Sequence, residues 1–278
     1  MLHPAVADRP LVPAPDPLPA PVVDGHTHLD ACGCVVAADV GAAMDRAAAV
    51  GVRQVVTVGD DLGSARWAAE AAGWHRDLYA AVAVHPTRAD TLDAPARAEL
   101  TRLAALPRVV AVGETGLDYY WDAAPHAVQA EAFAWHIDLA KRVHKPLMIH
   151  DRDAHEDVLA ILAAEGAPDV VIFHCFSGGP EMARTCVKAG YHVSFAGPVS
   201  FRNARDLAEA ARLVPDELLM VETDAPFLTP HPHRGKRNEP YALPYTVRAL
   251  AAIRSQDVRD LCERVTLTTR TVYGLPGL

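Results

Sequence analysis

The sequence predicts an α/β fold, a TIM (β/α)8 barrel built as a single domain, and three observations predict it. Apolar strand-like runs alternate with helical segments at intervals of roughly 25 to 35 residues, the length of a βα unit. Eight such runs occur, and near-continuous apolar strands in that number favour a parallel sheet closed into a barrel. Five of the runs end in residues able to bind a metal, and a barrel gathers the C-terminal ends of its strands at one mouth. The length of 278 residues agrees, because α/β barrels commonly use about 250 residues as one domain. A doubly wound open sheet is the alternative. It is disfavoured because no Gly-x-Gly-x-x-Gly turn follows the first strand.

Residues 1–21 contain seven prolines and read as an extended, weakly ordered lead-in to a barrel spanning 22–278. The first strand is the apolar run that enters Asp24-Gly25-His26-Thr27-His28-Leu29-Asp30. Side chains two apart on a strand share a face, so His26 and His28 aim the same way. Residues 37–50 follow as a helix with Val40, Met44 and Val50 along one face and Gly51 as its stop. Strands at 52–58 and 78–84 flank a helix at 60–73, and the second of them ends at His85-Pro86. The pattern continues with helix 95–106, strand 109–113, helix 125–143, strand 146–149, helix 154–164, strand 170–173 and helix 180–189. Strands at 191–195 and 218–221 enclose a helix at 203–213, and helices at 244–254 and 257–269 close the chain.

Half the residues are hydrophobic and 22% are charged, which fits a soluble globular protein. No apolar run approaches the roughly 20 residues of a membrane helix, and 1–21 lacks the apolar core of a secretory signal, so no membrane association is expected. The odd count of five cysteines, with no export signal, fits a reducing cytoplasm and no disulfide framework. Cys32-x-Cys34 lacks the usual metal-binding spacing. A net charge of −9 counts against a protein that coats duplex DNA through a broad basic face. No obligate protein partner is evident.

The candidate metal ligands are His26, His28, Glu114, His150, His174 and Asp224, each at a strand's C-terminal end. Nitrogen and oxygen donors without sulfur suit zinc, manganese or a related divalent ion. Six donors exceed one tetrahedral ion, so Glu114 could bridge a site of His26, His28 and Asp224 to one of His150 and His174. Two ions about 3.5–4 Å apart can share a hydroxide and clamp attacking and leaving oxygens in phosphoryl hydrolysis.

Five segments carry a resemblance: Asp24-Gly25-His26-Thr27-His28-Leu29-Asp30, Gly113-Glu114-Thr115-Gly116-Leu117-Asp118, His150-Asp151-Arg152-Asp153-Ala154, Phe173-His174-Cys175-Phe176-Ser177-Gly178 and Glu222-Thr223-Asp224-Ala225-Pro226. In this order they resemble the signatures of the TatD family of metal-dependent deoxyribonucleases. The resemblance implies a barrel of the amidohydrolase-like superfamily, two divalent ions (zinc, manganese or magnesium), and hydrolysis of DNA phosphodiester bonds, often from the 3′ end. A related class of barrel hydrolases has a carboxylated lysine after strand four, where this chain has Glu114.

Around the metals, Asp224 and Glu114 are expected to be catalytic as well as ligands, with His85 bonding a phosphate or the leaving oxygen. Arg152 is expected to grip a phosphate. Arg234 and Lys236, in the basic run from His233 to Arg237, are expected to bind substrate, and Tyr119, Tyr120 and Trp121 could stack on a base. The expected substrate is a single-stranded DNA end. An ester or amide of a small metabolite or aminoacyl group is the enzymatic alternative, and a metal-binding scaffold the non-enzymatic one.

Overall fold

The computed structural model describes residues 3–121 and 123–277. Its sheet has eight strands in sequence order, every neighbouring pair parallel. They are β1 (Val22–Thr27), β2 (Val52–Gly59), β3 (Leu78–Val82), β4 (Val109–Asp118), β5 (Leu147–Arg152), β6 (Val171–Phe173), β7 (His192–Phe195) and β8 (Leu219–Val221). The first and last strands meet just past the end of β8. There the Asp224 N–H donates to the His26 carbonyl at 2.9 Å and the His28 N–H to the Ala225 carbonyl at 2.7 Å. The predicted TIM barrel is therefore the fold.

Helices α1 (Ala37–Ala49), α2 (Leu62–Ala71), α3 (Ala94–Ala104), α4 (His126–Val143), α5 (His155–Glu165), α6 (Pro180–Ala189) and α7 (Arg205–Leu213) connect successive strands, and α8 (Leu243–Arg254) and α9 (Val258–Tyr273) follow β8. Asp61, Asp93 and Asp257 cap three of them by accepting backbone N–H bonds, which satisfies donors that a helix start leaves open. Strand alternation sorts the buried side chains into two clusters. Val55, Val112, Leu147, Ile149 and Phe173 pack against the helices. Val23, Val56, Val58, Met148, Ile172 and Met220 form the second cluster, filling the barrel interior as a packed core rather than a pore.

The lead-in forms one 3-10 turn at Pro4–Val6, runs on largely without regular structure, and is tied down. Val12 and Leu18 are buried, the Val12 N–H donates to the Arg237 carbonyl, and Arg248 donates to the carbonyls of Asp16 and Pro17. All five cysteines are free thiols. Among the described residues no helix is long and apolar enough to cross a membrane.

Two strands run further than the sequence predicts, and both carry site residues. β4 continues through Glu114 to Asp118, and β5 through His150 to Arg152, because their pairing extends from Thr115 opposite Ile149 to Asp118 opposite Arg152. Glycines permit this close approach. A Cβ on Gly116, which has φ +143°, would lie 2.0 Å from the His150 carbonyl oxygen, and one on Gly113 would lie 2.4 Å from the Met148 Cβ.

This contact predicts a contrast between two glycine substitutions. Gly116→Ala forces β5 away and should cost at least about 1–3 kcal/mol, as overpacking does. Gly41→Ala, within α1 with open space around it, should be neutral or add up to about 1 kcal/mol. Urea midpoints measure both, and equal midpoints would show that the β4–β5 approach is not constrained as described.

Candidate metal centre

Glu114 projects from β4 into the mouth of the barrel, 4% exposed, and divides its two oxygens between two groups of imidazoles. Oε1 lies 3.3 Å from His28 Nε2 and 3.6 Å from His26 Nε2. Oε2 lies 2.7 Å from His174 Nε2, 3.2 Å from His150 Nδ1 and 3.9 Å from His85 Nε2. The Asp224 Oδ1 is 3.4 Å from the Nε2 atoms of both His26 and His28. The structure thus brings all six predicted donors together around Glu114, and His26 also stacks on His174 with ring centroids 4.0 Å apart.

The partners behind the imidazoles set which nitrogen faces inward. The His28 Nδ1 is 3.0 Å from the Val58 carbonyl, which only accepts, so Nδ1 carries a proton and Nε2 is the nitrogen turned to Glu114 and Asp224. The His174 Nδ1 is 3.2 Å from Glu222 Oε1, and the His26 Nδ1 is 3.0 Å from the Met148 sulfur, with the same consequence. His150 is turned round: Nε2 meets Asp118 Oδ2 at 2.9 Å, leaving Nδ1 for Glu114. Carboxylates behind imidazoles fix tautomer and ring orientation and raise basicity in metal sites.

The donor set fits divalent cations. Ligand atoms of His26, His28 and Glu114 lie within 4.8 Å of one another, as do those of Glu114, His150 and His174. Burial works against charge on His28, yet Asp224 and Glu114 hold its pKa well above the ordinary value. His174 is raised in the same way by Glu114 and Glu222. Burial also opposes ionisation of Glu114, but His174 and His26 keep its pKa well below the usual carboxylate range. Carboxylates held ionised among imidazoles at this spacing form a cradle for positive charge.

His85 differs from the donors. The Thr87 N–H donates to its Nδ1 at 3.2 Å, so the proton sits on Nε2, facing Glu114. Burial and the neighbouring His150 push its pKa down to about 3, which keeps it a neutral N–H donor.

The remaining predicted residues occupy the rim. The Arg152 guanidinium lies over the Tyr120 ring at 4.6 Å, and among the described residues it is paired with no carboxylate. Arg234 lies over Phe201 at 5.3 Å, on the loop after β8. Among the described residues, neither it nor Lys236 bonds any of the six donors. Tyr119 is not a free aromatic: it stacks on His126 at 3.7 Å and its hydroxyl donates to Asp157. Sequence reasoning gave no role to Glu222, Asp118 or the Val58 carbonyl. The signal was present for the first two, since both lie inside the quoted motifs.

Residues 23–274 match the family model described as TatD related DNase. An uncharacterized metal-dependent hydrolase TatD of Mycobacterium tuberculosis is 62% identical over 260 residues, covering 91% of this chain and 98% of the relative. A protein of Escherichia fergusonii named 3′-5′ ssDNA/RNA exonuclease TatD is 33% identical over 238 residues, covering 83% and 91%. The crystal structure of YjjV, a TatD homologue of Escherichia coli K12, superposes with a TM-score of 0.85 at 26% identity, covering 92% of this chain and 98% of that one. The motifs, the barrel and these matches agree, and the chain belongs to the TatD family of metal-dependent hydrolases.

Proposed function

We propose that this chain hydrolyses phosphodiester bonds of single-stranded DNA as a 3′–5′ exonuclease, with two divalent ions in the centre. The observation that carries the reading is the division of Glu114 between two imidazole groups, one oxygen to each. The names of the Escherichia fergusonii relative and the family model support the choice of substrate.

His26, His28, Asp224 and Glu114 Oε1 would hold one ion, and Glu114 Oε2, His150 and His174 the other. Bound there, divalent ions would supply Lewis acidity for activating water near neutral pH and for offsetting charge on the phosphate. Asp224 takes the proton of the attacking water on the carboxylate oxygen turned away from the imidazoles. His85, neutral and protonated on Nε2, gives a hydrogen bond to a phosphate or leaving oxygen and keeps its proton, while the proton that Asp224 takes passes to the leaving oxygen. Arg152 neutralises a phosphate oxygen. Arg234 and Lys236 meet phosphates further along the strand.

Substitutions separate the roles. Glu114→Ala should lose metal from both positions and His150→Ala chiefly from one, whereas Glu222→Gln should keep the donors but weaken binding about 10- to 100-fold. Elemental analysis and metal titration of the purified variants read these outcomes. Full metal content in the Glu114 variant would remove the bridging role.

The substrate reading turns on strand ends. In an acidic chain, the basic residues given to the substrate here are Arg152, Arg234 and Lys236, enough for a strand end but few for tracking a duplex. A linear single-stranded oligonucleotide should be trimmed stepwise from its 3′ end, and a covalently closed single-stranded circle should resist. Equal cleavage of both would refute the exonuclease reading. Failure on both, with turnover of an aminoacyl ester, would move the substrate to carboxyl esters.

A further inference from the structure

Two large aromatic side chains stand out of the rim beside this centre. Tyr120 is 54% and Trp121 62% exposed, and their rings meet edge to face at 5.0 Å. Exposed aromatics in such a pair cost hydration that a partner would recover. The loop carrying them is anchored to the metal centre through one carboxylate. Asp118 Oδ1 accepts the N–H groups of Tyr120 at 3.0 Å and Trp121 at 2.9 Å, while Oδ2 meets His150 Nε2. Asp118 itself is buried, so the rim loop and His150 share a rigid support. Over the Tyr120 face lies Arg152, two residues beyond His150 on β5.

We propose that Tyr120, Trp121 and Arg152 form a nucleotide subsite, in which the aromatic pair stacks on the base beside the scissile phosphate and the Arg152 guanidinium holds the adjoining phosphate. The proposal rests on the nucleic-acid reading above. Every base has a π-face, so stacking binds strands without selecting sequence, as an exonuclease requires. A guanidinium held over a ring face still has N–H groups free for phosphate oxygens. The Tyr119 side chain, held by His126 and Asp157, takes no part and stiffens the start of the loop.

The test measures binding rather than turnover. The metal-loaded, full-length protein is titrated against a fluorescein-labelled single-stranded phosphorothioate hexanucleotide, which resists hydrolysis, and against a counterpart abasic at its two 3′-terminal positions. The unsubstituted protein should bind the base-bearing strand about tenfold more tightly. Trp121→Ala should lose most of that discrimination, and Trp121→Phe should restore it. Both substitutions are on the surface, and circular dichroism checks that they fold. Discrimination unchanged in Trp121→Ala, or absent from the unsubstituted protein, would overturn the subsite. If discrimination holds while no DNA is hydrolysed, the exonuclease reading fails and the subsite stands. If DNA is hydrolysed without discrimination, the subsite alone fails.

Discussion

Closure of the barrel between its first and last strands is the constraint from which the metal centre follows. β1 ends at Thr27 and β8 begins at Leu219, and the seam brings His26 and His28 to Asp224 through two backbone hydrogen bonds, Asp224 to His26 and His28 to Ala225. Asp24 reinforces it by accepting the N–H and hydroxyl of Thr223. Burial pushes the Asp24 carboxyl up to about 8, so at neutral pH it ties the strands together without adding much negative charge to an end already rich in carboxylates. Asp224 itself has φ of +50°, a left-handed conformation that Asp tolerates better than most residues. The turn after β8 thereby directs its carboxylate across the seam.

Charge balance explains why the imidazoles are wired as they are. Glu114 and Asp224 converge with His26, His28 and His174 in a volume nearly closed to water, where an isolated carboxylate would be costly. Protons on His28 and His174 can supply the compensating charge, and divalent ions can replace them, since the same nitrogens serve either purpose. The hydrogen bonds on the far side of each ring are unaffected by that exchange. Val58, Glu222 and Asp118 can therefore preserve ring orientation whether the rings hold protons or metal.

Much of this was legible in the sequence because barrels place function by a simple rule: a donor at the C-terminal end of a buried strand faces the mouth. The strand order followed from it, as did the expectation that the six candidate donors share one end of the barrel. Three things did not. The lengths of β4 and β5 depend on how closely Gly113 and Gly116 let the backbones approach, and an apolar run that stops at Gly113 gives no hint of it. The supporting roles of Asp118 and Glu222 depend on which nitrogen of a neighbouring ring each one reaches, a three-dimensional fact. Tyr119, Tyr120 and Trp121 are consecutive aromatics, yet their partners separate a packed residue from two exposed ones.

The centre is also asymmetric toward solvent, and this limits how a substrate arrives. The His26 side chain is inaccessible and that of His174 nearly so, whereas those of His150 and His85 are 20% and 14% exposed. Asp224, at 12%, is nearly as open as His85, so the exposed side chains of the centre are His150, His85 and Asp224. The Nε2 proton of His85 and the end of β5 that bears Arg152 lie on that exposed side of the buried imidazoles. The most exposed of the three, His150, is the one that Asp118 braces, and the carboxylate that orients it also holds the backbone of Tyr120 and Trp121. A shift of that loop would move a metal-facing imidazole, which couples the fit of the substrate at the rim to the geometry of the centre beneath it.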